Sequence, residues 1–198
     1  MTCLLNPYRL AVAGGVSDVT DNFNRADSTT TLGTASDGVH VWTPETGTWG
    51  ISSNQGYCPT LSGGLGYATV DYGARNCTLQ FMIATVGRPF GAILGWEGTA
   101  ADMIRIRCEI IATVHRLTIQ LFRTGQTSLN FGTIDGIVWA DGDVMKVVLS
   151  GQTVTVFRNG VSVTSANDSR FNDITGTKHG LYASTVTTAR FEDFSITP

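Results

Sequence analysis

The stretch from Gly142 to Thr164, GDVMKVVLSGQTVTVFRNGVSVT, admits few backbone conformations. Between Asp143 and Leu149 the side chains alternate, with Met145, Val147 and Leu149 on one side of an extended chain and Val144, Lys146 and Val148 on the other. A turn at Ser150-Gly151 follows, then a β-branched and aromatic run from Thr153 to Phe157 that stops at Asn159-Gly160. Asn-Gly is the dipeptide that most readily takes the positive φ angles of a type I′ hairpin turn. Val161 and Val163 then open a third strand. Such a meander commits the chain to an all-β fold.

Composition agrees. The 23 glycines, with many Thr, Ser and Asn, suit short strands joined by tight turns, while helix formers at helical spacing are nearly missing. A length of 198 residues fits one β domain. A chain of this size buries roughly 70% of its unfolded surface, enough to fold without a disulfide or a metal. The net charge of −3 and the lack of a basic tract exclude nucleic acid as the main partner. The apolar runs are too short to cross a bilayer, so no membrane is expected. The N-terminus, MTCLLNPYRLAVAGG, lacks an early cationic segment and is interrupted by Asn6, Pro7 and Arg9. That is a poor secretory signal, and assembly in a cytosol is expected.

Two divisions are expected: an arm, Met1 to Thr20, without strand alternation and broken at Gly14-Gly15, and a β domain, Asp21 to Pro198. The arm is either disordered or docked on a neighbouring subunit. Asn76 to Val86 and Pro89 to Trp96 read as strands. Asp102 to Ile111 and Val114 to Phe122 read as a hairpin. In it Ile104, Ile106, Cys108, Ile110, Leu117, Ile119 and Leu121 face inward, while Arg105, Arg107, Glu109, Arg116, Thr118 and Gln120 form a wet outer row. Lys178 to Ser184 and Thr188 to Thr197 read as a closing pair, the second strand bulged because Phe191 and Phe194 are three apart. Cys3, Cys58, Cys77 and Cys108 lack metal-ligand spacing. Core thiols are expected, and a Cys77–Cys108 bridge is the one pairing to check.

Residues 21–27 (DNFNRAD), two early tryptophans, the hairpin just described and the closing HGLYASTVTTARFEDFSI together resemble the concanavalin A-like lectin and glucanase superfamily, including laminin G-type domains, over roughly Asp21 to Ile196. The resemblance implies an antiparallel jelly-roll β-sandwich whose first and last strands pair, setting Phe23 near Phe194. Domains with this opening are also similar to those of bacteriophage tail and capsid-decoration proteins. That likeness implies a non-enzymatic virion structural protein on the particle surface, present in many copies or as a homo-oligomer, its arm contacting other virion proteins and its domain facing host glycans. The alternative is a secreted carbohydrate-binding or carbohydrate-active protein of the same superfamily.

No catalytic set is expected. Glucanases of the superfamily use Glu-x-Asp-x-x-Glu on one strand, so that alternate carboxylates share a groove. Here Glu45, Glu97, Glu109 and Glu192 fall on separate segments. His40, His115 and His179 lie in strand-like segments without a Gly-x-Ser-x-Gly elbow. Gly63-Gly64-Leu65-Gly66 lacks the Lys-Ser/Thr of a phosphate loop. Asp21, Asp27, Asp141, Asp143, Asp168 and Asp173 could ligate calcium, but they read as solvated turn residues and no metal or cofactor is expected. The candidate binding face combines Arg105, Arg107, Glu109, Arg116 and Gln120 with Trp96 and Trp139 on adjoining loops. Planar hydrogen-bonding groups and aromatic faces are what hold sugars. An ordinary solvated sheet, or an interface with another protein, fits the same residues.

Overall fold

The alternation read between Gly142 and Thr164 becomes three paired strands in the computed structural model, which describes residues 16–87, 89–98, 102–185 and 188–198. In chain order the strands are β1 (Val19–Asp21), β2 (Thr43–Thr46), β3 (Thr48–Ser52), β4 (Gln55–Thr60), β5 (Leu65–Asp71), β6 (Cys77–Thr85), β7 (Phe90–Trp96) and β8 (Met103–Ile111). There follow β9 (Val114–Phe122), β10 (Leu129–Asp135), β11 (Val144–Ser150), β12 (Thr153–Arg158), β13 (Val161–Asn167), β14 (Lys178–Ser184) and β15 (Arg190–Thr197). Asn159 and Gly160 sit at φ 50° and 80°, as the hairpin turn demands.

Two antiparallel sheets face each other. One runs β13-β12-β11-β6-β15-β4-β3 with β1 added along β15, and the other runs β10-β9-β8-β7-β14-β5-β2. Between them lies one core. The first sheet contributes Cys77, Leu79, Phe81 and Ile83 of β6 and Met145, Val147 and Leu149 of β11; the second contributes Ile104, Ile106 and Cys108 of β8 and Leu117, Ile119 and Leu121 of β9. These are the inward rows expected from alternation. Ile110 departs from its row at 44% exposure, beside the exposed hairpin end Ile111 to Val114.

The bulge in β15 is present: the register shifts between Glu192 and Ser195, and Asp193 takes φ 48°, so that Phe191 and Phe194 both bury. The expected closing pair is corrected. β14 lies between β7 and β5, and β15 between β6 and β4, in different sheets. β14 hydrogen-bonds along one edge to β5 and along the other to β7, so no edge is left for β15. The expected arm falls mostly on residues 1–15, outside the described residues; the sheet itself begins at Val19, two residues before the expected boundary. Cys58, Cys77 and Cys108 are buried and none is in a disulfide, so Cys77 and Cys108 are core thiols and do not bridge; Cys3 lies outside the described residues. Burial pushes the Cys77 thiol up to about 12.

The first and last strands pair, with Asp21 opposite Phe194. Phe23 lies 5.9 Å from Trp42, and Trp42 lies 4.8 Å from Phe194, ring centre to ring centre. Asp21 anchors this corner. Its carboxylate accepts two bonds from Arg25 (2.7 and 2.8 Å), one from Trp42 Nε1 (2.7 Å) and one from the Phe23 N–H (2.9 Å). Asp21 is therefore buried rather than solvated as expected, and so is Asp143, held by Arg158 and Asn159. Removing the Asp21 carboxylate strands a cation and an indole N–H together. Asp21→Ala is expected to cost about 3–5 kcal/mol in chemical denaturation; a loss under about 1 kcal/mol would show that the knot is dispensable.

His179 is the second buried polar anchor. Its Nε2 donates to the Ala74 carbonyl (2.9 Å), its Nδ1 accepts the Gly95 N–H (3.2 Å), and Cys77 Sγ is 3.6 Å from Nδ1. Burial lowers its pKa to about 4, opposed by the bond to Ala74. The unfolded ring titrates near 6.5. Between these values the unfolded chain binds the extra proton, so the contribution is complete above pH 6.5 and lost as pH falls to 4, on the order of 3 kcal/mol in all. Denaturation midpoints from pH 7 to 4.5 should fall steeply for the native chain and be flattened in His179→Gln.

Candidate functional site

The face of the β10-to-β2 sheet that points away from the core is not uniformly wet. Period-two alternation sends Met103, Arg105, Arg107 and Glu109 of β8 outward, opposite Phe122, Gln120, Thr118 and Arg116 of β9. On the far side of β7, Tyr182 and Ser184 of β14 stand opposite Tyr67 and Leu65 of β5. Gly91 of β7 is opposite both Arg107 and Tyr182, and a Cβ there would come within 2.0 Å of the Ile106 carbonyl. The row between Arg107 and Tyr182 is thus kept free of a side chain. Tyr67, Ile93, Trp96, Met103 and Tyr182 form a second buried cluster on this face, edged by Leu65 and Phe122. Beside it opens a shallow pocket of about 370 Å³, whose walls include Tyr67, Arg105, Arg107, Phe122, Tyr182 and Ser184.

Arg105 is the centre of this arrangement. It is only 7% exposed, a correction to the wet row expected of it, because aromatic rings from three other strands close over it. Its guanidinium carbon lies 4.4 Å from the Phe122 ring centre and 4.8 Å from that of Tyr182. Nε and Nη2 donate to Gln120 Oε1 (3.0 and 2.8 Å), and Nη1 donates to the Tyr67 hydroxyl (2.7 Å). Gln120 Nε2 in turn donates to Asn130 Oδ1 (3.0 Å), which extends the chain of bonds across four strands. Burial raises the pKa of the Tyr67 phenol, while the positive charge of Arg105 opposes the rise. Because an arginine only donates, the Tyr67 oxygen accepts from it and keeps its own hydrogen for another partner.

The other expected residues divide. Gln120 is buried, not solvated, because it holds Arg105. Arg107 and Glu109 form an ion pair (2.7 Å) at the edge of the pocket. Arg116 pairs with Asp135 of β10 (2.7 Å), away from the pocket walls. Trp96 lies in β7 rather than on a loop and packs 5.3 Å from Tyr67 within the second cluster. Trp139 is corrected: it belongs to the core between the sheets, edge-on to Phe90 at 6.2 Å, and takes no part in the outer face. Tyr67, Phe122 and Tyr182 were not anticipated. β5 is hidden in a glycine-rich stretch, and a tyrosine in HGLYAS carries no local mark of which sheet face it meets.

The carboxylates are dispersed. Glu45 meets Lys178 and Thr69, Glu97 accepts the Gly176 N–H, Glu109 meets Arg107, and Glu192 accepts from Gln55. Among the described residues no group of three or more His, Cys, Asp or Glu could hold a metal ion.

Solved structures share this architecture. The chain is similar to the carbohydrate-binding module CBM66 from Bacillus subtilis, with 15% identity, coverage of 79% of this chain and 95% of that one, and a TM-score of 0.57. It is also similar to Bacteroides ovatus xyloglucan PUL GH43B (15% identity, 90% of this chain, 38% of that one, TM-score 0.53). A third likeness is to LamA from Zobellia galactanivorans in complex with laminaritriose and laminaritetraose (11% identity, 89% and 96%, TM-score 0.51). No family model matches the sequence, and no curated protein does. At these identities the likeness is one of fold. The fold is an antiparallel jelly-roll β-sandwich.

Gln120 is the acceptor that holds the guanidinium in place. Gln120→Leu should lower unfolding free energy by about 1–3 kcal/mol, because buried N–H groups of Arg105 lose their partner; equilibrium denaturation with an unchanged m-value would check it.

Proposed function

We propose that this chain is a non-catalytic carbohydrate-binding domain that takes a saccharide in the pocket between β5, β14, β8 and β9. The observation that carries the reading is that pocket: the aromatic rings of Phe122 and Tyr182 and the donors of Arg105, Arg107 and Tyr67 converge on one open face of a rigid sheet. A sugar ring offers C–H surfaces to aromatic faces and hydroxyls to planar polar groups, and such a wall meets both needs. Likeness in fold to a carbohydrate-binding module and to glycoside hydrolases supports a carbohydrate ligand. The single-strand Glu-x-Asp-x-x-Glu arrangement of the superfamily's glucanases is not met by the four separately engaged glutamates, which supports binding without cleavage by that route. The virion setting expected from the sequence draws nothing from these likenesses; the carbohydrate ligand, common to that expectation and its alternative, is what they favour.

Affinity electrophoresis and calorimetry against a panel of neutral and acidic oligo- and polysaccharides should find a ligand. Phe122→Ala, which removes a half-buried outer ring, should weaken that ligand roughly five- to tenfold without lowering solubility. If the folded protein bound no member of the panel, or bound one with Phe122→Ala unaffected, the pocket would not be the site.

A further inference from the structure

Among the described residues, three cations of the outer face are paired with carboxylates. Arg107 pairs with Glu109 (2.7 Å), Arg116 with Asp135 (2.7 Å) and Lys178 with Glu45 (3.0 Å). Arg105 has no carboxylate within ion-pair distance among the described residues, although it is more than nine-tenths buried. Two aromatic rings and two neutral oxygens hold it there. They ease the burial of a cation but leave its charge uncancelled.

The hydrogen-bonding capacity of the pocket is equally one-sided. Three of the five N–H groups of Arg105 are used, which leaves two for a ligand. Nε of Arg107 is buried without an acceptor among the described residues. Tyr67 accepts from Arg105 and so presents its O–H, while the Ser184 hydroxyl is turned away to donate to the Gly64 carbonyl (2.7 Å). No carboxylate lines the pocket among the described residues. A neutral sugar brings hydroxyls that must donate as well as accept, and it would find few acceptors. A carboxylate only accepts, and its planar geometry matches a guanidinium fork.

We infer that the ligand of this pocket is an acidic saccharide whose carboxylate docks between Arg105 and Arg107, an inference that rests on the carbohydrate reading above. The two arginines are alternate residues of β8, about 7 Å apart along the strand and on the same face of the sheet. Glu109, already on Arg107, competes with the ligand. A chain of net charge −3 would otherwise repel a polyanion, so recognition depends on this local positive field.

The test compares galacturonate oligosaccharides, the same oligosaccharides after carboxyl reduction, sulfated galactan oligosaccharides and poly-glutamate, by isothermal titration calorimetry on the native chain. Galacturonate is expected to bind roughly 10- to 100-fold more tightly than its reduced form. Arg107→Gln, at a half-buried position, should remove most of that difference, and Glu109→Gln should strengthen galacturonate binding about threefold or more, with thermal melts reporting that both variants fold. Equal binding of the acidic and reduced forms overturns the inference and leaves the carbohydrate reading intact. Tighter binding of the sulfated galactan, or equal binding of poly-glutamate, overturns it too, the first by naming sulfate and the second by showing unselective charge attraction. Binding of none of the saccharides overturns both readings.

Discussion

The register of β8 on β9 governs everything outside the core. Nine cross-strand pairs hold it, from Met103 with Phe122 to Ile111 with Val114. In a sheet with period-two alternation, a slip of one residue exchanges the faces. It would carry Ile104, Ile106 and Cys108 out to solvent and drive Arg105 and Arg107 between the sheets. The aliphatic rows of the core therefore fix where the guanidinium stands, to within a residue. Hydrophobic packing on one side of the sheet sets the polar chemistry on the other.

The second face then imposes its own demands. Buried backbone needs hydrogen-bond partners along both strand edges, and β14 finds them in β5 and β7 while β15 finds them in β4 and β6 of the other sheet. Sequence adjacency favours a hairpin at that point. The aromatic corner where Trp42 stacks between Phe23 and Phe194 holds the opposite arrangement, since it needs β15 beside β1. Asp21 satisfies the polar edge of that corner, so a carboxylate deep in the structure serves packing rather than chemistry.

Much of the fold was legible because alternation is a local property. The long strands of the core, the Asn159-Gly160 turn and the bulge between Phe191 and Phe194 each declare themselves within ten residues. β5 did not, because Gly63, Gly64 and Gly66 dilute its pattern. The site was legible only in part for the same reason. Arg105, Arg107 and Gln120 could be placed on one outward row, but whether that row is wet depends on Tyr67 and Tyr182, which arrive from distant parts of the chain. The two tryptophans make the point most sharply: Trp96 and Trp139 read alike in sequence, yet one closes the outer cluster and the other fills the inner core.

The bonded series Tyr67, Arg105, Gln120 and Asn130 has a thermodynamic consequence. Tyr67, Arg105 and Gln120 are buried and bonded to one another before any ligand arrives, and strands rather than loops carry all three. Ordering long, flexible side chains at an interface costs about 0.5–1.5 kcal/mol apiece. Here that entropy has already been surrendered during folding, so a partner of the right shape meets a preorganised surface and one of the wrong shape meets a surface that does not adapt.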